Sequence, residues 1–156
     1  MRILTQEHMQ YILRAAEVAK ESTCLRSKCG SVIVKDGEII GEGFNSPPGN
    51  SSGRCSCEKD SYHKKVTDKT CCIHAEQRAI FDALSNNSDK IKGAILFFIR
   101  LDPEGNISNA GKPYCTICSK SALDVGIKEF VLLYEEGLVA YETEEYNLLS
   151  YEFNGE

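Results

Sequence analysis

Residues 70 to 80 read "TCCIHAEQRAI", two adjacent cysteines, a histidine and a glutamate leading into a stretch of helical character. Ala75, Ala79, Ile80, Ala83 and Leu84 recur at helical spacing, so an amphipathic helix begins close to His74. Upstream, "SVIVKDGEIIGEGF" sets two β-rich runs around Asp36-Gly37, a strong hairpin signal. Further upstream, Met9, Ile12, Leu13, Ala16 and Ala19 predict a first helix over residues 5 to 21 with Thr5 as its candidate N-cap. Downstream, "GAILFFIRL" is the apolar run expected of a strand buried on both faces. A third helix over about 115 to 125, the strand "KEFVLLY" and a short last helix capped by Thr143 complete the chain. Helix, hairpin, helix, strand, helix, strand and tail is the order of an α/β protein. The expected architecture is a three-layer α/β/α sandwich with a mixed central sheet, the last strands parallel across right-handed crossovers.

The chain of 156 residues predicts one domain over 1–156, with a long cysteine-rich loop at 45–72 and an acidic segment at 135–156. Eighteen basic against twenty-three acidic residues give a net charge of −5, without the basic footprint of a nucleic-acid binder. From Glu129 onward there are eight glutamates and no lysine or arginine, a segment that repels a phosphate backbone and argues against a polynucleotide partner. The basic residues of the loop, Arg54, Lys59, Lys64, Lys65 and Lys69, read as a solvated surface or as a site for one small anion. The opening is an amphipathic helix rather than a signal peptide, and no stretch has membrane-spanning length, so a soluble cytoplasmic protein without membrane partners is expected. In a reducing compartment, eight clustered cysteines point to metal ligands or reactive thiols before disulfides.

Cys115 and Cys118, in "PYCTICSK", sit at a helix start, where the dipole favours the thiolate that binds metal or reacts. Such a pair serves as a zinc half-site or a redox couple, and the element order does not supply the thioredoxin-like pattern that the redox reading needs. His74 and Glu76 would diverge by about 200° on a regular helix. At a first turn, however, His74 can bind a metal while Glu76 reaches past it. One histidine and two thiolates leave the fourth tetrahedral position of zinc open, the arrangement of a catalytic site.

"HAE" followed by a cysteine pair near a proline resembles the zinc-dependent cytidine deaminase superfamily. "STCLRSKCGSVIVKDGEIIGEGFNSPPG" before "HAEQRAI" resembles its deoxycytidylate deaminase branch, over about Ser22 to Tyr134. The resemblance implies that His74, Cys115 and Cys118 hold a catalytic zinc and that Glu76 carries protons during hydrolytic attack at C4 of a cytosine ring, with uracil and ammonia as products. It implies substrate contacts at Asn45, for the sugar, and at the Ala75 backbone, for the pyrimidine edge. Tyr134 reads either as an aromatic beside the base or as core packing, and Arg26 either as a phosphate ligand or as a surface residue. A homo-oligomer is also implied. Two features depart from the family: Tyr114 stands between Pro113 and the first cysteine, and "DPEGNISNAGK" is longer than the usual link.

The resemblance further implies a second, structural zinc, with candidates Cys24, Cys55, Cys57, His63, Cys71 and Cys72, one of the last two being a ligand. Such a site would hold the long polar loop. Cys29 reads as a small buried apolar residue. The expected activity is zinc-dependent deamination of a free pyrimidine nucleotide, foremost deoxycytidine monophosphate. Alternatives are deamination of another aminated base or nucleoside, or an inactive zinc-stabilised binding module, which Glu76 speaks against. The acidic, tyrosine-rich C-terminal segment reads as an outer packing helix or a lid.

Overall fold

A computed structural model describes residues 1–51, 55–57 and 69–154. Among the described residues, seven strands form one sheet: β1 (Arg2–Ile3), β2 (Lys28–Lys35), β3 (Glu38–Phe44), β4 (Ile95–Leu101), β5 (Ile107–Ser108), β6 (Glu129–Tyr134) and β7 (Gly137–Glu142). Their order is β1-β7-β6-β4-β2-β3, with β5 paired to β4. The α-helices are α1 (Met9–Ala19), α2 (Ala75–Asn87), α3 (Thr116–Asp124) and α4 (Thr143–Glu152).

Alternation along the strands produces the three layers. Val32, Val34, Phe97, Ile99, Leu101, Val131, Leu138 and Ala140 pack on the α1 side with Ile12, Ala15, Ala16 and Ala19. Ile33, Leu96, Phe130, Leu132, Val139 and Tyr141 face the other way, onto Ala79, Ile80 and Ala83 of α2, Ala122 of α3 and Tyr146 of α4. The hairpin turn has positive φ at both Asp36 (49°) and Gly37 (79°), the pair of left-handed residues that a two-residue turn matched to strand twist requires.

β4 and β6 pair in parallel across α3, while β2 is antiparallel to both β3 and β4. β3 and β4 therefore run in the same direction, and α2 and α3 begin at the same edge, beyond the carboxyl ends of these strands. Ligand sites of open α/β sheets form at such an edge.

The C-terminal segment differs from its reading as a tail. Residues 137–142 form β7, antiparallel to β6, and β1 adds to its far side. Its "GLVAY" alternates weakly because Leu138 and Ala140 serve one core and Val139 and Tyr141 the other. α4 packs outside α3: Ser119 Oγ donates to Asn147 Oδ1 at 2.8 Å, and the Tyr146 ring stacks on Phe130 with centroids 4.0 Å apart. Thr143 is the first helical residue rather than the cap, which is Glu142. The first helix is also shorter than its periodicity suggests, because Gln6–His8 adopts a 3-10 turn before α1.

Candidate metal centres

Among the described residues there are two clusters of potential metal ligands, joined along the chain by Cys72 and His74. In the first, His74 and Cys115 each occupy the N-cap of a helix, α2 and α3 respectively. His74 has extended φ/ψ and its backbone N–H donates to Gln77 Oε1 at 3.0 Å, so its side chain is free of the helical direction that would have separated it from Glu76. His74 Nδ1 lies 3.2 Å from Cys115 Sγ and 3.3 Å from Cys118 Sγ, and the two sulfurs are 3.1 Å apart. Tetrahedral zinc separates such atoms by about 3.5–3.8 Å, so the three fit the ion after the nitrogen–sulfur distances open by about 0.3 Å and the sulfur–sulfur distance by about 0.7 Å. The other imidazole nitrogen, Nε2, meets the Thr70 hydroxyl at 3.5 Å. A partner on that nitrogen orients the ring.

Glu76 is buried on the first turn of α2, and its Oε2 accepts from Cys118 Sγ at 3.0 Å. Burial, with the adjacent Cys115 charge, raises its carboxyl above the usual range. Hydrogen bonding with Cys118, aided by His74, holds the Cys115 thiol well below its ordinary value, while burial holds Cys118 well above it. Burial alone would lower the His74 imidazole, but its Cys115 partner raises it to about 9. Cys115 and His74 thus shift each other in opposite directions, a thiol lowered and an imidazole raised, a pairing that a cation between them would replace.

The second cluster gathers Cys24, Cys55, Cys57 and Cys72, whose sulfurs all lie within 4.8 Å of one another. Cys72 Sγ is 3.5 Å from Cys55 Sγ and 3.6 Å from Cys57 Sγ, close to the spacing in a four-thiolate zinc site and far beyond a disulfide's S–S bond of about 2.05 Å. Burial pushes Cys57 up to about 12 and raises Cys72. For Cys55, burial acts upward, but hydrogen bonds, first from the Leu25 N–H, bring it down to about 7. Four thiols this close cannot all ionise without a cation among them.

The other residues singled out in the sequence take several different places. Cys71 stands outside the four-sulfur cluster. His63 lies outside the described residues, as do Arg54, Lys59, Lys64 and Lys65. Arg26 donates through Nη2 to the Cys57 carbonyl, which ties it to the cysteine-rich segment. Tyr134 donates its hydroxyl to the Gly111 carbonyl at 3.1 Å and pairs with the Tyr141 hydroxyl at 3.0 Å, a packing arrangement. Asn45 is buried; its Oδ1 accepts from Cys29 N at 2.8 Å and Ser22 Oγ at 2.6 Å, and its Nδ2 donates to Ser27 O at 2.8 Å. Ala75 is buried at the first position of α2. Cys29 is buried too, as a small core residue should be.

One residue at this edge escaped the sequence reading. Arg100, near the end of β4, projects to the side of α2 and α3, where Nη2 donates to the Tyr114 hydroxyl at 3.0 Å. A single arginine inside "GAILFFIRL" was the available signal, because a charge in an otherwise buried run demands a reason.

The sequence matches the model of the cytidine and deoxycytidylate deaminase zinc-binding region over residues 5–134. The chain belongs to this family. Within the family it resembles the deoxycytidylate deaminase of Schizosaccharomyces pombe, 27% identical over 122 residues that cover 75% of this chain and 34% of the relative. It is 30% identical to the deoxycytidylate deaminase of Mycobacterium phage D29 over 94 residues, covering 55% of this chain and 71% of the phage protein. The chain thus spans about a third of the length of the fission yeast relative. Among solved structures, the dCMP deaminase of cyanophage S-TIM5 in complex with dCMP and dUMP is 26% identical with a TM-score of 0.56, covering 81% of each chain. The cytidine deaminase of Burkholderia pseudomallei shares the fold with a TM-score of 0.59 at 17% identity. Zinc binding is therefore a property of the family to which the first cluster's residues belong. No helix among the described residues is long and apolar enough to cross a membrane.

Proposed function

We propose that this chain is a zinc-dependent hydrolytic deaminase that converts the cytosine ring of a free nucleotide, foremost deoxycytidine monophosphate, to uracil with release of ammonia. The observation that carries the reading is the three-ligand cluster with Glu76 against it: His74, Cys115 and Cys118 within reach of one ion, and a buried carboxylate 3.0 Å from Cys118 Sγ. A purely structural centre has no use for that carboxylate. A zinc ion held by the three side chains supplies the acidity that makes a water nucleophilic near neutral pH. Glu76, its carboxyl raised by burial, would be suited to carry one proton of that water to the ring N3 and the second, from the hydroxyl then bound at C4, to the departing amine as the C4–N bond breaks. Ala75, at the helix start, offers its backbone to the pyrimidine edge, and Asn45 borders the sugar side with its remaining donor. Burial of Glu76 excludes bulk water from the proton path.

The same reading assigns a second, structural zinc to Cys24, Cys55, Cys57 and Cys72, a closed set of four ligands. The similarity to dCMP and deoxycytidylate deaminases supports the nucleotide substrate. The acidic C-terminal segment and the net charge of −5 support a free nucleotide over a polynucleotide.

Ammonia release and zinc content, measured together for the wild type and Glu76→Gln on cytidine, deoxycytidine and their monophosphates, test the reading. Activity should fall by at least about a thousandfold in the variant while its zinc stays bound. A wild type that keeps its zinc and releases ammonia from none of these substrates would instead be a binding module.

A further inference from the structure

We infer that Thr70 is a positioning residue for the His74 centre, held in place by the four-cysteine cluster, so that filling the cysteine site tightens metal binding at His74. The inference rests on the two zinc sites proposed above, and on the geometry of residues 70–74 for the link between them.

Only Ile73 stands between Cys72, a member of one cluster, and His74, a member of the other. Its backbone is fixed: Ile73 N donates to Ser46 O at 2.8 Å, and Ser46 N donates back to Ile73 O at 3.3 Å. Arg78, one turn into α2, fastens the same strip from the helix side, its Nη2 donating to Ser46 O at 3.4 Å and to Pro47 O at 2.9 Å. His74 is itself capped through its N–H, which goes to Gln77 Oε1. Backbone bonds of this kind locate the Cα of His74 and leave the rotation of its ring to the ring's own partners. Those partners come from two sides. Nδ1 faces Cys115 Sγ at 3.2 Å and Cys118 Sγ at 3.3 Å, and Nε2 meets Thr70 Oγ1 at 3.5 Å.

Thr70 precedes Cys72 by two residues and so belongs to the stretch that the cysteines hold. Cys72 places its sulfur 3.5 Å from Cys55 Sγ and 3.6 Å from Cys57 Sγ, and Leu25 N donates to Cys55 Sγ at 3.4 Å. An ion shared by the four sulfurs would fix Cys72, and with it the approach of Thr70. The imidazole is then clamped in the sense that metal binding needs. When Nδ1 gives its lone pair to an ion, Nε2 carries the N–H, and the Thr70 hydroxyl accepts it. A ligating histidine oriented this way binds its metal more tightly, because less freedom is lost on binding. Opening the nitrogen–sulfur distances around an ion also moves the ring toward Thr70, since the two nitrogens point to nearly opposite sides, and so shortens a contact that is long at 3.5 Å. That effect requires Thr70 to stay where it is. Residues 70–72 left unheld would yield to the ring instead, so the two sites share a coupling free energy that acts equally in both directions.

Zinc affinity of the His74 centre, measured by chelator competition on the full chain, should be compared in wild type, Thr70→Val, Thr70→Ser, Cys57→Ser and the double variant Thr70→Val with Cys57→Ser. The contribution of this centre is the one that Cys115→Ser removes. Thr70→Val keeps the shape of the side chain without its acceptor and should weaken the centre about tenfold, whereas Thr70→Ser should restore it. Cys57→Ser should cost a similar factor, with the centre still filling at excess zinc, and should cost nothing further in the Thr70→Val background. Equal affinities in wild type and Thr70→Val would overturn the inference. A Cys57→Ser loss as large in the Thr70→Val background would overturn it too, because the coupling would then bypass Thr70. If Cys57→Ser fails to fold, Cys24→Ser opens the same site and takes its place. A wild type without zinc at His74 overturns the zinc reading and this inference together. A zinc-loaded chain that releases no ammonia overturns the deaminase reading alone, and the affinities still decide the role of Thr70.

Discussion

Gly43 on β3 meets α2 so closely that a Cβ there would lie 2.4 Å from Ala79 N and 2.5 Å from Ala75 O. Gly41 makes a similar approach to Ala79 O, at 2.5 Å. These glycines let the helix that begins at His74 lie flat on the hairpin, and so they set where His74 and Glu76 stand. Gly43→Ala must push α2 outward, with a cost of about 3 kcal/mol in urea unfolding, and it should reduce zinc occupancy by shifting His74 away from Cys115. An unperturbed metal content in a destabilised variant would separate packing from ligand placement.

Among the elements, the described cysteines around the second cluster depend most on a ligand, because they pack chiefly on one another. Cys57 and Cys72 form a buried cluster with Cys24, and Cys55 and Cys71 pack against it. The Ser46–Ile73 bridge, with Ile73 N donating to Ser46 O at 2.8 Å, ties the residue after Cys72 to the residue after Asn45. Cys57→Ser should therefore lower bound zinc from about two to about one per chain and reduce the melting temperature, whereas Cys71→Ser should do neither. Equal zinc in wild type and Cys57→Ser would remove the structural site.

Across the whole molecule, the far edge of the sheet is closed by a long-range pair. Arg2 on β1 reaches Glu129 on β6 with two hydrogen bonds, of 2.8 and 2.7 Å. Glu129 is nearly buried while Arg2 is largely exposed, so solvent screening limits the pair to about 1 kcal/mol. The hydrogen bond from Arg2 lowers the Glu129 carboxyl below its ordinary 4.5. A group lowered by folding contributes its full stability above the unfolded pKa and loses it as pH falls through the folded value. Glu129→Gln should therefore be less stable than wild type at pH 7 and should approach it near pH 3, as denaturant titrations at the two pH values would record. A constant difference would assign the effect to packing.

Much of this protein was readable along the chain because its signals are local. Asp36-Gly37 dictates its turn through its own φ preferences, the strands announce two faces through alternation, and Cys115-x-x-Cys118 opens a helix wherever that helix lies. Such features depend on neighbours a few residues away, and they sufficed for the α/β sandwich and for the grouping of His74 with a cysteine pair 41 residues on. What needed the tertiary structure involves choices between equivalent chemistries. Cys72 rather than Cys71 joins the sulfur cluster because of where the Ser46–Ile73 bridge anchors the chain. Residues 137–142 become a strand because β6 and β1 supply partners on both sides, which their own weak alternation does not reveal. Arg100 meets Tyr114 and Cys29 only in the folded chain, through its hydrogen bond to the Tyr114 hydroxyl and its cross-strand place on β4. The sequence by itself determined the local geometry and the available chemistry; the path of the folded chain decided which side chains share a site, because proximity in space is set by long-range packing and not by spacing along the chain.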